Sequence, residues 1–351
     1  MDVISRPAGW PEAPELLGPD EVAMRVAEAA VWAPSVHNTQ PWWFSIDGQE
    51  ISVHADARRQ LMVADPDGRE MMISCGAALF TARLALRSLG YLPETRVLPD
   101  PARPSLVATV SWQDRAAPAE HELRLFSQVR LRRTHRGGFG LLPLAPELLG
   151  VLRQGAERDD AILHVITDEG ARSALAMVVE EAERAQRLDS ARVRELAAWV
   201  PAPGSTRRDG VPRTAYPAHC DGTCPHFPGR DFAHGRGWGL LQRVTGTGPG
   251  SAGQVCLLAT ADDRPRDWVN AGQALQRVLL TSAACGVAAA LHSQPLELAW
   301  LREFTRQKFT GGSYPQLVLR LGTVIQTAVS VRRPVTSVLF ASGEPVGNSA
   351  G

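Results

Sequence analysis

Two segments of this chain are apolar around most of a helical circumference, and they limit its fold more than any other feature. One is residues 70–91, EMMISCGAALFTARLALRSLGY; the other is residues 269–285, the core of WVNAGQALQRVLLTSAACG. A helix apolar on all sides must be covered by other elements. The two can be laid over each other at one constant offset. Gly76, Ala78, Leu79 and Gly90 then recur as Gly272, Ala274, Leu275 and Gly286. This spacing points to a duplicated α+β unit; a chance sharing of Gly and Ala between two buried helices is the other reading. With 351 residues the chain has the length of two domain-sized units.

The rest of the pattern fits mixed α and β structure. Residues 20–32 have helical periodicity, with Asp20 able to cap the start and Pro34 enforcing the stop. Two β-rich runs flank Asp47-Gly48, a hairpin signal. Residues 106–113 read as a strand, and residues 113–122 as a connector. We set the boundary between the halves there, at 1–120 and 121–351. Helices are expected at about 122–131, 146–155, 170–198, 269–285 and 296–305. Strands are expected at 162–168, 255–261, 287–293 and 314–323, followed by an extended tail through 340. Residues 200–253 are rich in Pro and Gly, which in a compact protein marks a lid, binding loop or arm.

Composition removes several function classes. Basic and acidic residues balance at 37 each, so no broadly basic surface invites nucleic acid. No apolar run is long enough for a transmembrane helix, and the N-terminal residues lack a secretory signal pattern. Lys308 is the only lysine; it fits a P-loop poorly, which argues against ATP chemistry, and a Schiff-base cofactor is equally ill served. The five cysteines, an odd number, suggest mostly free thiols in a reducing, cytoplasmic compartment. Cys75 and Cys285 lie in the apolar helices and read as core. His219, Cys220, Cys224 and His226, with His234, resemble zinc ligands, but a second cysteine pair is missing and no metal is expected. The glycines at 246–253 mimic a dinucleotide fingerprint but precede a strand instead of following one.

Three stretches could carry chemistry. Ala33 to Trp42 (APSVHNTQPW) places Ser35, Asn38 and Gln40 between two stiffening prolines. Such a loop can hydrogen-bond a heterocycle edge or ribityl chain; an ordinary capped turn is the plain alternative. Arg132, Arg133, Thr134 and Arg136 precede Gly137-Gly138 and could clamp a phosphate, or form a solvated basic turn. Arg332-Arg333 in the tail gains meaning only beside that turn. Of Trp42 and Trp43, alternating along a strand, one should be core and the other is placed to line a pocket.

Taken together, APSVHNTQPW (33–42), DPDGREMMISCGAALFTARLAL (65–86), RRTHRGGF (132–139), RPRDWVNAGQALQRVLLTSAACG (264–286), YPQLVLRLG (314–322) and VRRPV (331–335) resemble the nitroreductase-like flavoprotein superfamily, and within it the Acg-like single-chain group. The resemblance runs from about residue 20 to 340. It implies an α+β nitroreductase-like fold, two fused copies forming an intramolecular pseudo-dimer, with one composite FMN site and a monomeric state. It implies FMN as cofactor, NAD(P)H as electron donor and a small nitroaromatic, quinone or specialised metabolite as acceptor. Arg132, Thr134, Arg332 and Arg333 would bind the phosphate and ribityl end; Arg136 would approach the N1/O2 edge of the ring. Ser35, Asn38 and Gln40 would bind from the other half, and no side chain would serve as acid or base. FMN storage without turnover and a tailoring oxidase or dehydrogenase are the alternative functions.

Overall fold

The computed structural model describes residues 17–215, 223–232, 250–324 and 330–341. In the first unit, α1 (Pro19–Ala30) leads to β1 (Trp42–Asp47), β2 (Glu50–Ala55), α2 (Arg69–Ser88), β3 (Glu94–Val97), β4 (Leu106–Ser111) and α3 (Glu120–Ser127). The second unit has α4 (Pro146–Glu157), β5 (Ile162–Ile166), α5 (Glu169–Leu188), α6 (Ser190–Ala198), β6 (Thr223–Cys224), β7 (Gly250–Ser251), β8 (Gln254–Thr260), α7 (Pro265–Ala284), β9 (Ala288–His292), α8 (Ala299–Phe309), β10 (Tyr314–Gly322) and β11 (Leu339–Ala341). The architecture is α+β. No helix among the described residues is long and apolar enough to cross a membrane.

The two main sheets share one plan. The first has the strand order β11-β1-β2-β4-β3, the second β5-β8-β10-β9. Set β5, β8, α7, β9 and β10 against β1, β2, α2, β3 and β4, and both sheets follow the same path. All pairings between these strands are antiparallel. The hairpin turn at Asp47-Gly48 corresponds to the whole interval from 167 to 253 in the second unit. The insertion therefore begins with α5 and α6, well before the Pro/Gly-rich stretch. Strand β11 adds a parallel edge to β1, so residues 339–341 complete the sheet built from β1 to β4.

The helices α2 and α7 cross where their glycines meet. A Cβ on Gly76 would lie 2.1 Å from Val269 O, and one on Gly272 would lie 2.0 Å from Ile73 O. Only glycine permits backbones this close. The two contacts are reciprocal: Val269 and Gly272 follow Ile73 and Gly76 at the same offset that overlays the sequences. The cores exchange residues in the same way. Val269 of α7 packs into the core of the first unit, and Ile73 of α2 into that of the second.

Several sequence expectations need correction. The helix expected at 170–198 breaks at Asp189, whose carboxylate accepts from Ala191 N and Arg192 N and starts a new helix. The helix expected at 122–131 stops at Ser127, leaving Gln128–Arg132 in turns. Helix α1 starts with Pro19 at its first position and gets no side-chain cap from Asp20. The strands β3 and β11 were not evident from the pattern: Glu94–Val97 is half exposed and polar, and β11 has only three residues. Cys285 is exposed, because it sits just past the end of α7 instead of inside it; Cys75 is buried as expected.

Candidate functional site

The chain between α1 and β1 cannot continue as helix past Pro34. It turns through left-handed conformations at His37 (φ 47°), Asn38 (φ 55°) and Gln40 (φ 49°). Side chains rarely adopt this region, and asparagine does so more readily than most. Contacts from distant segments hold the loop there. Asn38 Nδ2 donates to Gly210 O at 3.0 Å and Val331 O at 3.2 Å. Ser35 Oγ accepts from Gln40 N at 2.9 Å. Gln40 Nε2 donates to Arg208 O at 2.9 Å, and its Oε1 accepts from Arg333 N at 2.8 Å.

The turn after α3 is positioned by an edge strand. His135 N donates to Ala289 O of β9 at 2.7 Å, and Thr134 forms a parallel bridge with Ala289. This brings Arg132 and Thr134 to the C-terminal end of α1. There the tail arrives as well. Arg332 Nη2 donates to Ala33 O at 3.3 Å and Trp32 O at 3.4 Å. The guanidinium groups of Arg133 and Arg332 lie over the Trp32 ring at 5.2 and 5.6 Å.

Two cavities open at this meeting point. The smaller, about 440 Å³, is lined by Ser35, Asn38, Arg132, Thr134, Arg136 and Arg332, among others. The larger, with an empty volume of about 1070 Å³ including its mouth, is also lined by Ser35, Thr134 and Arg136. Ile73 of α2, Leu275 of α7 and Leu317 of β10 give it apolar walls. The size and mixed lining are those of a small-molecule site. Six of the eight expected site residues thus line these cavities. Gln40 and Arg333 line neither. The Gln40 amide is fully buried and engaged with the backbone of residues 38, 208 and 333. The Arg333 guanidinium donates to Ser337 O at 3.1 Å and Gln40 O at 3.4 Å. Both buttress the loop that presents Ser35 and Asn38.

The cations of this site are crowded. Burial, then the charges of Arg132, Arg133 and Arg136, pulls Arg332 down to about 9. Burial, then Arg133 and Arg136, pulls Arg132 down to about 10. The charges acting on both are other arginines. Arg132 Nε, Arg332 Nε and Asn38 Oδ1 are buried without hydrogen-bond partners among the described residues. Such a cluster is paid for by an anion with several acceptor oxygens.

Arg320, Glu70 and Arg230 at the site were missed in the sequence. Arg320 of β10 is buried and lies between the Phe139 and Phe227 rings, 5.2 and 5.3 Å from their centroids. Its Nε donates to His292 Nε2 at 2.8 Å. Burial, then Arg230 and Arg136, holds His37 well below its ordinary range, so it is neutral. Glu70 and Arg230 also line the larger cavity. A charge in a helical or loop pattern reads as solvated surface, so nothing local marked them. The segments 208–215 and 223–232 cover the cavities, through Gly210, Val211, Thr223, Phe227 and Phe232. Trp42 is core, and Trp43 stacks on His54 at 3.7 Å, lining neither of these cavities. His135 is half-buried against Phe139.

Among the described residues no group of three or more His, Cys, Asp and Glu could hold a metal. Cys224 is described and exposed. His219, Cys220 and His234 lie outside the described residues, as do Gly246 and Gly248.

No protein-family model matches the chain. It is 33% identical over 306 residues to a Mycobacterium tuberculosis protein named "Putative NAD(P)H nitroreductase Rv3131", covering 87% of this chain and 86% of that one. It is 26% identical over 333 residues to the same organism's "Putative NAD(P)H nitroreductase acg", covering 93% and 97%. Among solved structures, a nitroreductase with bound FMN from Desulfitobacterium hafniense is 14% identical, covers 62% of this chain and 97% of its own, and gives a TM-score of 0.35.

Proposed function

The chain belongs to the NAD(P)H nitroreductase family, and on that premise we propose that it binds one FMN per chain and reduces a small organic acceptor with electrons from NAD(P)H. The observation that carries this reading is the meeting of the Ser35–Asn38 loop with Arg132, Thr134 and Arg332 around one cavity. Those residues fit a flavin mononucleotide. A phosphate offers the acceptor oxygens that the arginine cluster lacks, and Asn38 Oδ1 and the Ser35 and Thr134 hydroxyls suit ribityl hydroxyls. The larger cavity, with Ile73, Leu275 and Leu317, suits an apolar ring system.

When bound, FMN supplies hydride chemistry that side chains cannot. The chain's own residues orient and tune it. Arg136 places a cation at the junction of the two cavities, where it would favour negative charge on a bound flavin. The two like sheets, the reciprocal α2–α7 contact and the composite cavity support a pseudo-dimer in one chain, for which a monomer is the expected state. The acceptor class we propose is a nitroaromatic, a quinone or a specialised metabolite.

A second reading, storage of FMN without turnover, is favoured by the cover itself. Asn38 and Gln40 bond Gly210 and Arg208, and Arg59 pairs with Asp209, so the cover is fastened at its base. Anaerobic mixing of the flavin-loaded protein with NADPH separates the two. Prompt bleaching supports reduction; a flavin that stays oxidised supports storage. A purified chain without flavin, which takes none up, sinks both.

A further inference from the structure

The larger cavity holds a carboxyl group with no part in the chemistry above. Glu70 sits in the first turn of α2 and is 5% exposed. It lines the cavity beside Ile73 and Ser74. Its Oε1 accepts from Arg69 Nη2 at 3.0 Å, while Oε2 is buried with no hydrogen-bond partner among the described residues. A carboxylate with one bare oxygen is costly in such a place; a carboxylic acid with an O–H to offer is far less so.

The neighbouring charges are mostly committed elsewhere. Arg69 Nη1 donates to Gln316 O at 2.8 Å. Arg230, from the cover, pairs with Glu297. Arg302 of α8 forks onto Asp263 at 2.7 and 2.8 Å. Asp65 accepts from Glu70 N and Met71 N at 3.0 and 2.9 Å. His37 and His292 stand on other cavity walls, both held neutral by burial and nearby arginines. Burial, then the carboxylate of Glu297, raises Glu70 to about 8.

We propose that Glu70 is a catalytic residue, the proton donor to the acceptor bound in this cavity, an inference that rests on the flavoprotein reading above. Reduction of a quinone or carbonyl by two electrons takes up one hydride and one proton. Dihydronicotinamide supplies the hydride with its electron pair and leaves as the oxidised nicotinamide cation. The carboxyl O–H bond of Glu70 breaks as an O–H bond forms on the acceptor. The carboxylate left behind is held by Arg69 Nη2 and regains its proton from water before the next turnover.

Infrared difference spectra of the flavin-free protein over pH 5–10 read the proton directly. The expected result is a carboxylic C=O band that disappears around pH 8 and is absent in Glu70→Gln; Asp65, raised by burial to about 6, titrates apart from it. In the flavin-loaded protein, Glu70→Gln should slow acceptor reduction by roughly 10²-fold, the usual scale for a general acid. It should also flatten the fall in rate above pH 8, while NADPH still reduces the flavin within about threefold of the wild-type rate. A band unchanged in Glu70→Gln, or wild-type acceptor reduction with the wild-type pH profile, overturns the proposal. Should Glu70→Gln fail to fold, Glu297→Gln replaces it: the band's midpoint should fall, and an unmoved midpoint counts against the proposal. A protein that takes up no flavin refutes the flavoprotein reading, yet the infrared band still decides the state of Glu70.

Discussion

Replacing Arg332 by methionine separates cofactor binding from folding. The guanidinium donates to Val331 O at 2.9 Å, Ala33 O at 3.3 Å and Trp32 O at 3.4 Å, and it lies over the Trp32 ring. Losing these contacts costs about 0.5–1.5 kcal/mol each at most, and less for the long ones. Against that stands the crowding. Arg332 falls from 12.5 in an ordinary setting to about 9 in the fold. The folded chain therefore holds this proton less tightly than the unfolded one, and at pH 7 the charge opposes folding by several kcal/mol. The two effects offset each other, so flavin-free Arg332→Met should unfold in urea within about 1–2 kcal/mol of wild type, and on the stable side if the crowding dominates. FMN affinity should move much further. A charge-assisted phosphate contact is worth about 1.5–3 kcal/mol, which is roughly a 10- to 150-fold rise in Kd. Flavin fluorescence quenching gives that Kd, and urea unfolding gives the stability. Affinity within threefold of wild type would refute the phosphate role of the cluster. So would a loss of flavin that merely tracks a destabilised fold.

Three further outcomes follow from other parts of the structure. Gly272→Ala gains about 1 kcal/mol of helix propensity but drives a methyl to 2.0 Å from Ile73 O; the backbones must part, so a net loss of about 2 kcal/mol or more is expected in thermal unfolding. Gly150→Ala, in α4 with nothing within 4 Å of the new methyl, should gain up to about 1 kcal/mol; equal effects at both sites would refute the close crossing. Glu70 keeps a proton in the fold between its ordinary 4.5 and about 8 that the unfolded chain has lost, so its contribution is fully present at low pH and lost as pH rises. Urea unfolding from pH 5 to 8 should therefore show wild-type stability falling relative to Glu70→Gln by about 1 kcal/mol per pH unit, and parallel pH profiles would contradict the buried acid. Asp209→Asn frees Arg59 from its partner on the cover, and limited proteolysis near residue 209 should speed up several-fold with the core intact; an unchanged cleavage rate would mean that this pair does not fasten the cover.

The sequence by itself determined the helices and most strands, because apolar periodicity and Pro/Gly punctuation are local properties. Its overlay of Gly76 on Gly272 pointed to a duplicated α+β unit, whereas the close crossing of the two helices at those glycines came only from the structure. The sequence also picked out Ser35, Asn38, Arg132, Thr134, Arg136 and Arg332, polar groups concentrated in loops with stiff or permissive backbones. Only the tertiary structure showed that Gln40 and Arg333 turn toward each other, away from the cavities. Only it showed that the insertion starts at α5 and that β11 returns to the first sheet. Nothing in the sequence singled out Glu70 or Arg320 as site residues, and the fold buries both. Their chemistry depends on desolvation and on neighbours hundreds of residues away, and no local pattern encodes either.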